Sequence, residues 1–193
     1  MALFLALAAA AGSDGVDENL MRMVSLYDEV CLHAFPEDDA VVALLKERGA
    51  QEMSAQEVKV TMNDDPARGW RLPGESTTVW LEFPPFHACS VRWNAPRMPD
   101  IQPYITVRDT YAKANAREGS ITEKAFDQDV NQVHIKASMT AFGRKADQAD
   151  ESVESLLFIE QSINNEGRRA IGETGYVLRF VHQAYDRTTA TSE

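Results

Sequence analysis

Between Val16 and Phe35 the apolar positions fall at Val16, Leu20, Met23, Val24, Tyr27, Val30, Cys31 and Ala34. Steps of three and four place them on one stripe of an amphipathic helix, with Asp17 and Glu18 in its first turn, where the helix dipole favours negative charge. Pro36 ends this helix, because its ring removes a donor and disfavours helical geometry in the residue before it. Cys31 lies on the apolar stripe and therefore faces inward. A second helix follows at once, opened by Pro36 and three acidic residues, with Ala40, Val41, Leu44 and Leu45 as its apolar side and Gly49 as its stop.

The period then changes to two. Glu57–Met62 predicts a short strand, and Trp70 and Leu72 either extend a strand or plug the core. Thr77–Ala95 predicts a hairpin folded about Pro84 and Pro85. On its first strand Thr77, Val79, Leu81 and Phe83 share one face, and Thr78, Trp80 and Glu82 share the other. On its second, Cys89, Val91 and Trp93 oppose Ala88, Ser90 and Arg92, so Cys89 also turns inward. A third helix is expected over Ile105–Arg117, ended by Gly119. Three longer strands, about Val130–Phe142, Val153–Asn164 and Tyr176–Tyr185, predict a meander. In the first of them Val133, Ile135, Ala137, Met139 and Ala141 form the inward face. The run Leu156–Ile159 predicts a strand covered on both faces.

These elements predict an α+β fold, with about three helices packed on one face of a mainly antiparallel sheet of about six strands. No internal repeat or linker divides it, so residues 13–187 are read as one domain, with 188–193 as a frayed tail. Residues 1–12 stand apart. They form an uncharged apolar run that ends in small residues, the pattern of a secretory signal remnant, and the run is shorter than the roughly 20 residues a spanning helix needs. A charged n-region is missing, and a buried N-terminal helix is the alternative. The expected location is the periplasm or the exterior.

Charge and candidate chemistry narrow the function classes. A net charge of -11 over 193 residues repels phosphate backbones and anionic lipid, so neither nucleic acid nor stable membrane insertion is expected. The two cysteines, Cys31 and Cys89, both point at one core, and an even count in an exported chain favours a disulfide. Two free buried thiols are the bland alternative. A Cys89 nucleophile with His87 or His33 as base is the catalytic one, since His87 shares the strand face of Cys89. No metal is expected: His33, His87, His134 and His182 make no ligand spacing, and the parity of their strands places His134 and His182 on opposite faces. Glu154 and Glu160 share parity but lie about 20 Å apart on one strand, too far for joint acid–base work. Arg144-Lys145 and Arg168-Arg169 fall in loops at opposite ends of the meander and form no single basic patch, and Asp127 and Asp129 lie where they neutralise the second pair. Trp70, Trp80 and Trp93, with Phe83, Phe86 and Tyr104, form core or line a small apolar pocket; Trp80, flanked by Thr78 and Glu82, marks a partner surface if it is exposed.

The stretch W-R-L-P-G-E-S-T-T-V-W-L followed by A-C-S-V-R, after a cysteine-bearing helix that leads into A-F-P, resembles a family of small uncharacterised bacterial exported proteins and lipoproteins. The resemblance covers the first half of the chain, implies an extracytoplasmic place and agrees with pairing Cys31 to Cys89. It brings no activity with it, and this chain lacks the lipobox cysteine of the lipoprotein members. The expectation is therefore an exported, non-enzymatic protein without a cofactor. It would bind a protein partner, a second copy of itself or a small apolar ligand, with Trp80, Thr78, Glu82 and His87 as candidate binding residues. The alternative is a thiol-dependent hydrolase or other enzyme using Cys89 and His87.

Overall fold

In the computed structural model the first helix changes gait halfway. Residues 18–74, 76–84, 86–95, 98–130, 133–145, 151–163 and 174–185 are described. The signal-like segment, the Arg168-Arg169 pair and the tail all lie outside them. Helix α1 (Glu18–Tyr27) runs directly into a π-helical segment (Asp28–Ala34), which Phe35 closes in extended geometry with its N–H on the Val30 carbonyl. Helix α2 (Asp38–Glu47) follows and ends at Gly49, whose φ of 71° only glycine adopts freely.

Helix α3 (Ala55–Met62) replaces the expected strand. Ser54 and Glu57 form a reciprocal capping box, in which the Ser54 hydroxyl accepts from the Glu57 N–H and the Glu57 carboxylate accepts from the Ser54 N–H. Val58 and Met62, four apart, are buried, whereas Val60 between them is 72% exposed. The alternation of Val58, Val60 and Met62 was compatible with a strand; the cap decides for a helix. Helix α4 (Gln102–Asn115), with proline in its first turn, is the helix anticipated over Ile105–Arg117, beginning and ending earlier.

All eight strands join one antiparallel sheet in the order β1-β2-β3-β4-β8-β7-β6-β5. They are β1 (Gln51–Glu52), β2 (Ala67–Arg71), β3 (Thr78–Glu82), β4 (Ala88–Ala95), β5 (Thr122–Val130), β6 (Val133–Gly143), β7 (Glu151–Ile163) and β8 (Thr174–Tyr185). The α+β class stands, with eight strands rather than six and four helices rather than three among the described residues. With Glu57–Met62 helical, the additions are the two-residue β1, β2 around Trp70 and the wholly exposed β5, which forms the outer edge beside β6.

The helices also divide between two faces. α1, the π segment, α2 and α4 cover the front face, where Val79, Leu81, Cys89, Val91, Trp93, Phe142, Leu156, Phe158, Leu178 and Phe180 form the core with Tyr27, Val30, Val41, Leu45 and Tyr104. α3 lies on the back face, over Trp80, with Met53, Val58 and Met62. Cys31 and Cys89 are bonded across the main core, at a Cα separation of 5.4 Å, which ties the π segment to β4.

Two face assignments change. On β6 the front face carries Thr140 and Phe142, while Ile135, Ala137, Met139 and Ala141 turn to the back and are only half-buried. On β7 Leu156 and Phe158 enter the core, but Leu157 and Ile159 share that half-buried back face instead of being fully covered. Among the described residues helices cover only the front side here, and the alternating apolar residues of β6 and β7 lie on the other.

Candidate functional site

The back-face candidates Thr78, Trp80 and Glu82 are tied into the protein by side-chain contacts. Trp80 is 2% exposed, its indole N–H donates to the Thr78 hydroxyl at 3.0 Å, and the Arg92 guanidinium lies over its ring at 5.1 Å. Glu82 accepts from Arg92 at 3.3 Å and from Arg179 at 2.7 Å. Burial lowers the Arg92 pKa while the Glu82 charge opposes the change. Helix α3 seals this arrangement, so Trp80 presents no ring to a partner. Thr78 also edges a shallow recess with Arg92, Asn94 and Gln161, of about 230 Å³.

His87 is elsewhere, on the front side. Its Nε2 lies 2.8 Å from Asp38 Oδ1 at the start of α2, and its ring meets Phe35 edge-on at 4.5 Å. The His182 ring is 6.4 Å away, and the His182 N–H donates to the His87 carbonyl at 2.9 Å. His182 Nδ1 in turn stands 3.3 Å from Glu154 Oε1, because β7 and β8 pair these two residues directly. Arg144, just past β6, reaches the same carboxylate oxygen at 3.4 Å. Asp38, His87, His182, Glu154 and Arg144 thus line up along one end of the sheet, with the two histidines side by side between the two acids.

Glu154 is fully buried, and its second oxygen has no hydrogen-bond partner among the described residues. Next to it Tyr111 of α4 has its phenol pKa raised, first by burial and then by the Glu154 charge. Tyr27 is raised well above its usual value mainly by burial, with Tyr104, Tyr111, Asp28 and Glu154 adding to it. These phenols stay protonated donors at any physiological pH.

Above this polar floor opens a cleft of about 530 Å³ between the π segment and α4. Leu32, Val107 and Ala114 give it an apolar side; Asp28, His33, Thr110, Asn115 and Arg144 give it a polar one. The wide π turn matters locally. It brings His33 Nδ1 to 2.7 Å from the Asp28 carbonyl five residues earlier, and π turns often mark functional positions in helices. The far end of α4 is pinned to the end of β6, since Arg117 N–H donates to the Gly143 carbonyl at 2.8 Å, and Lys145 donates its N–H to Asn115 and its Nζ to Ala114. The α4 wall of the cleft is therefore held at this end by hydrogen bonds to the end of β6 and the residues just after it.

Of the sequence candidates, His87 joins the polar floor and His33 lines the cleft, while Thr78, Trp80 and Glu82 lie across the sheet. Glu154, Arg144 and His182 were each weighed in the sequence with other partners and set aside, and Tyr111 was not singled out; the β6–β7–β8 register brings the first three together, and α4 adds Tyr111. His134 and His182 share the front face rather than opposing ones, but their β7 partners Ser162 and Glu154 stand eight residues apart, roughly 26 Å. His134 pairs instead with Asp127 and Asp129, the two acids that the sequence reading gave to Arg168-Arg169. No three His, Cys, Asp or Glu side chains among the described residues are grouped to hold a metal ion, and no described helix is long and apolar enough to cross a membrane. No family model, curated protein or solved structure matches the chain.

Proposed function

We propose that the protein is an exported, non-enzymatic binding protein that takes a small, largely apolar ligand into the cleft between the π segment and α4. The cleft itself carries this reading: at about 530 Å³ it falls within the usual range of ligand sites, and one apolar wall faces a few convergent polar groups. Arg144 is suited to hold a polar or anionic end of the ligand. Its side chain is 41% exposed, and its guanidinium is already anchored from below by Glu154. Leu32, Val107 and Ala114 would lie against the apolar remainder.

The disulfide supports an oxidising compartment, as do the signal-like N-terminus and the resemblance of the first half to exported proteins. Hydrolysis by a Cys89 thiolate finds little support. Both sulfurs are bonded to each other in the core, so no free thiol faces His87.

Thermal-shift measurement with alkyl carboxylates, alkyl amines and an anilinonaphthalene dye tests the proposal. Binding by wild type and its loss in Ala114→Trp, which fills the cleft, would support it. Equal binding by Ala114→Trp would place the ligand elsewhere.

A further inference from the structure

Over β2–β4 the back face of the sheet is covered by α3, which packs on Trp80. Among the described residues no helix covers it across β5–β8. The register places Leu157 beside Met139 and Arg179, and Ile159 beside Ala137 and Val177; Phe126 adjoins Ala137, and Val130 adjoins Val133. Phe126 and Val130 are each 40% exposed, and Leu157, Ile159, Met139 and Ile135 are half-buried.

We infer that this face of β5–β8 is the interface between two copies of the chain, packed sheet on sheet. Two observations favour a second copy as the occupant. The first is charge. The chain has 30 acidic residues and a net charge of -11, yet no Asp or Glu lies on the back-face positions of β5, of β6, of β7 from Val153 to Gln161, or of β8. Lys124 is the cation at the β5 side, and Arg179 is neutralised by Glu82. A face emptied of the dominant charge suits the centre of an interface between like-charged molecules, and it gives a basic partner no acid to engage.

The second is area. Four strands about 4.8 Å apart, over nine residues at about 3.3 Å each, give a face of about 20 by 27 Å, or roughly 500 Å² in projection. Two such faces remove about 1,000 Å² or more, which is the threshold of a specific interface. Small side chains (Ala137, Ala141, Ser155) adjoin large ones (Leu157, Ile159, Met139), so a two-fold related copy can set its ridges into these hollows, as sandwiched sheets do. α3 fences the patch on one side and confines the contact to β5–β8.

Sedimentation of the purified protein and oxidative cross-linking test this together. Wild type is expected at twice the chain mass at micromolar concentration, and Leu157→Glu at the single mass with an unchanged far-ultraviolet spectrum. Ala137→Cys adds a lone thiol at the centre of the face and leaves the core intact. It is expected to form a disulfide-linked dimer under mild oxidant, whereas Lys136→Cys on the opposite face is not. A wild-type monomer at about 100 µM, well above the micromolar range in which the dimer is expected, overturns the inference. So does a dimer that survives folded Leu157→Glu, or cross-linking at Lys136→Cys alone. A monomer that instead sediments with zwitterionic lipid vesicles overturns it in favour of a lipid surface.

Discussion

Arg144 and Glu154 meet at 3.4 Å on the floor of the cleft, one partner 41% exposed and the other fully buried. The pair sets the direction of the site. The carboxylate cannot leave the interior, so the guanidinium is held at the cleft floor with its outer part free for solvent or ligand. His182 supports the carboxylate from the β8 side. Replacing Glu154 by Gln keeps the shape but removes the charge that two bases share. Glu154→Gln is expected to lose roughly 1–3 kcal/mol of stability in urea unfolding, the usual worth of hydrogen bonds to charged groups.

The Cys31–Cys89 bond closes a separation of 58 residues. In the chain-entropy treatment such a loop contributes about 4 kcal/mol by restricting the unfolded chain. Reduction should therefore shift the unfolding midpoint of wild type strongly, and a Cys31→Ala, Cys89→Ala double variant should show no further response to reductant. Thiol titration of the native protein should find no reactive sulfur.

Gly69 lies beneath the Trp80 ring. A β-carbon there would meet Trp80 Cζ3 at 2.8 Å and the Met53 sulfur at 3.0 Å, so the ring or the strand must move. Gly69→Ala should destabilise by about 1–3 kcal/mol, the range for overpacking, and should shift the tryptophan emission. Ser54→Ala removes the cap of the helix that covers the same ring and should cost about 1 kcal/mol.

Glu57 carries the pH dependence of that cap. Bonds from the Ser54 N–H and hydroxyl, then from Arg71, lower its pKa from the usual 4.5 to about 2. A depressed carboxylate pKa stabilises the fold above the unfolded value, and that stabilisation is lost as pH falls toward the folded one. Wild type should thus be more stable than Glu57→Gln at pH 7. The difference should narrow between pH 4.5 and pH 2, as read from urea midpoints.

The elements that the sequence announced are those with one buried face. The stripe that carries Cys31 and the alternation around Cys89 foretold both halves of the disulfide, because burial at a fixed period leaves a readable pattern. β5 left none. Its residues T-E-K-A-F-D-Q-D-V are exposed throughout, and only pairing with β6 makes it a strand. The α3 signal was present in Ser54 and Glu57, but the alternation of Val58, Val60 and Met62 outweighed it. The candidate site was the least legible. Asp38, His87, Arg144, Glu154 and His182 come from separate elements, and their meeting depends on a register that no local pattern encodes. Trp80 shows the converse: its place opposite the main core was readable, but the helix that buries it was not.

The binding proposal is tested most directly by calorimetric titration of decanoate into wild type, Arg144→Met and Ala114→Trp, with alkyl amines and alcohols in parallel. The account predicts saturable binding of decanoate at one site per chain. It predicts an affinity lowered about tenfold or more without the Arg144 charge, as for one charge-assisted hydrogen bond, and abolished by Ala114→Trp. Decanoate binding that Ala114→Trp leaves unchanged, or no binding by any member of the panel, would contradict it.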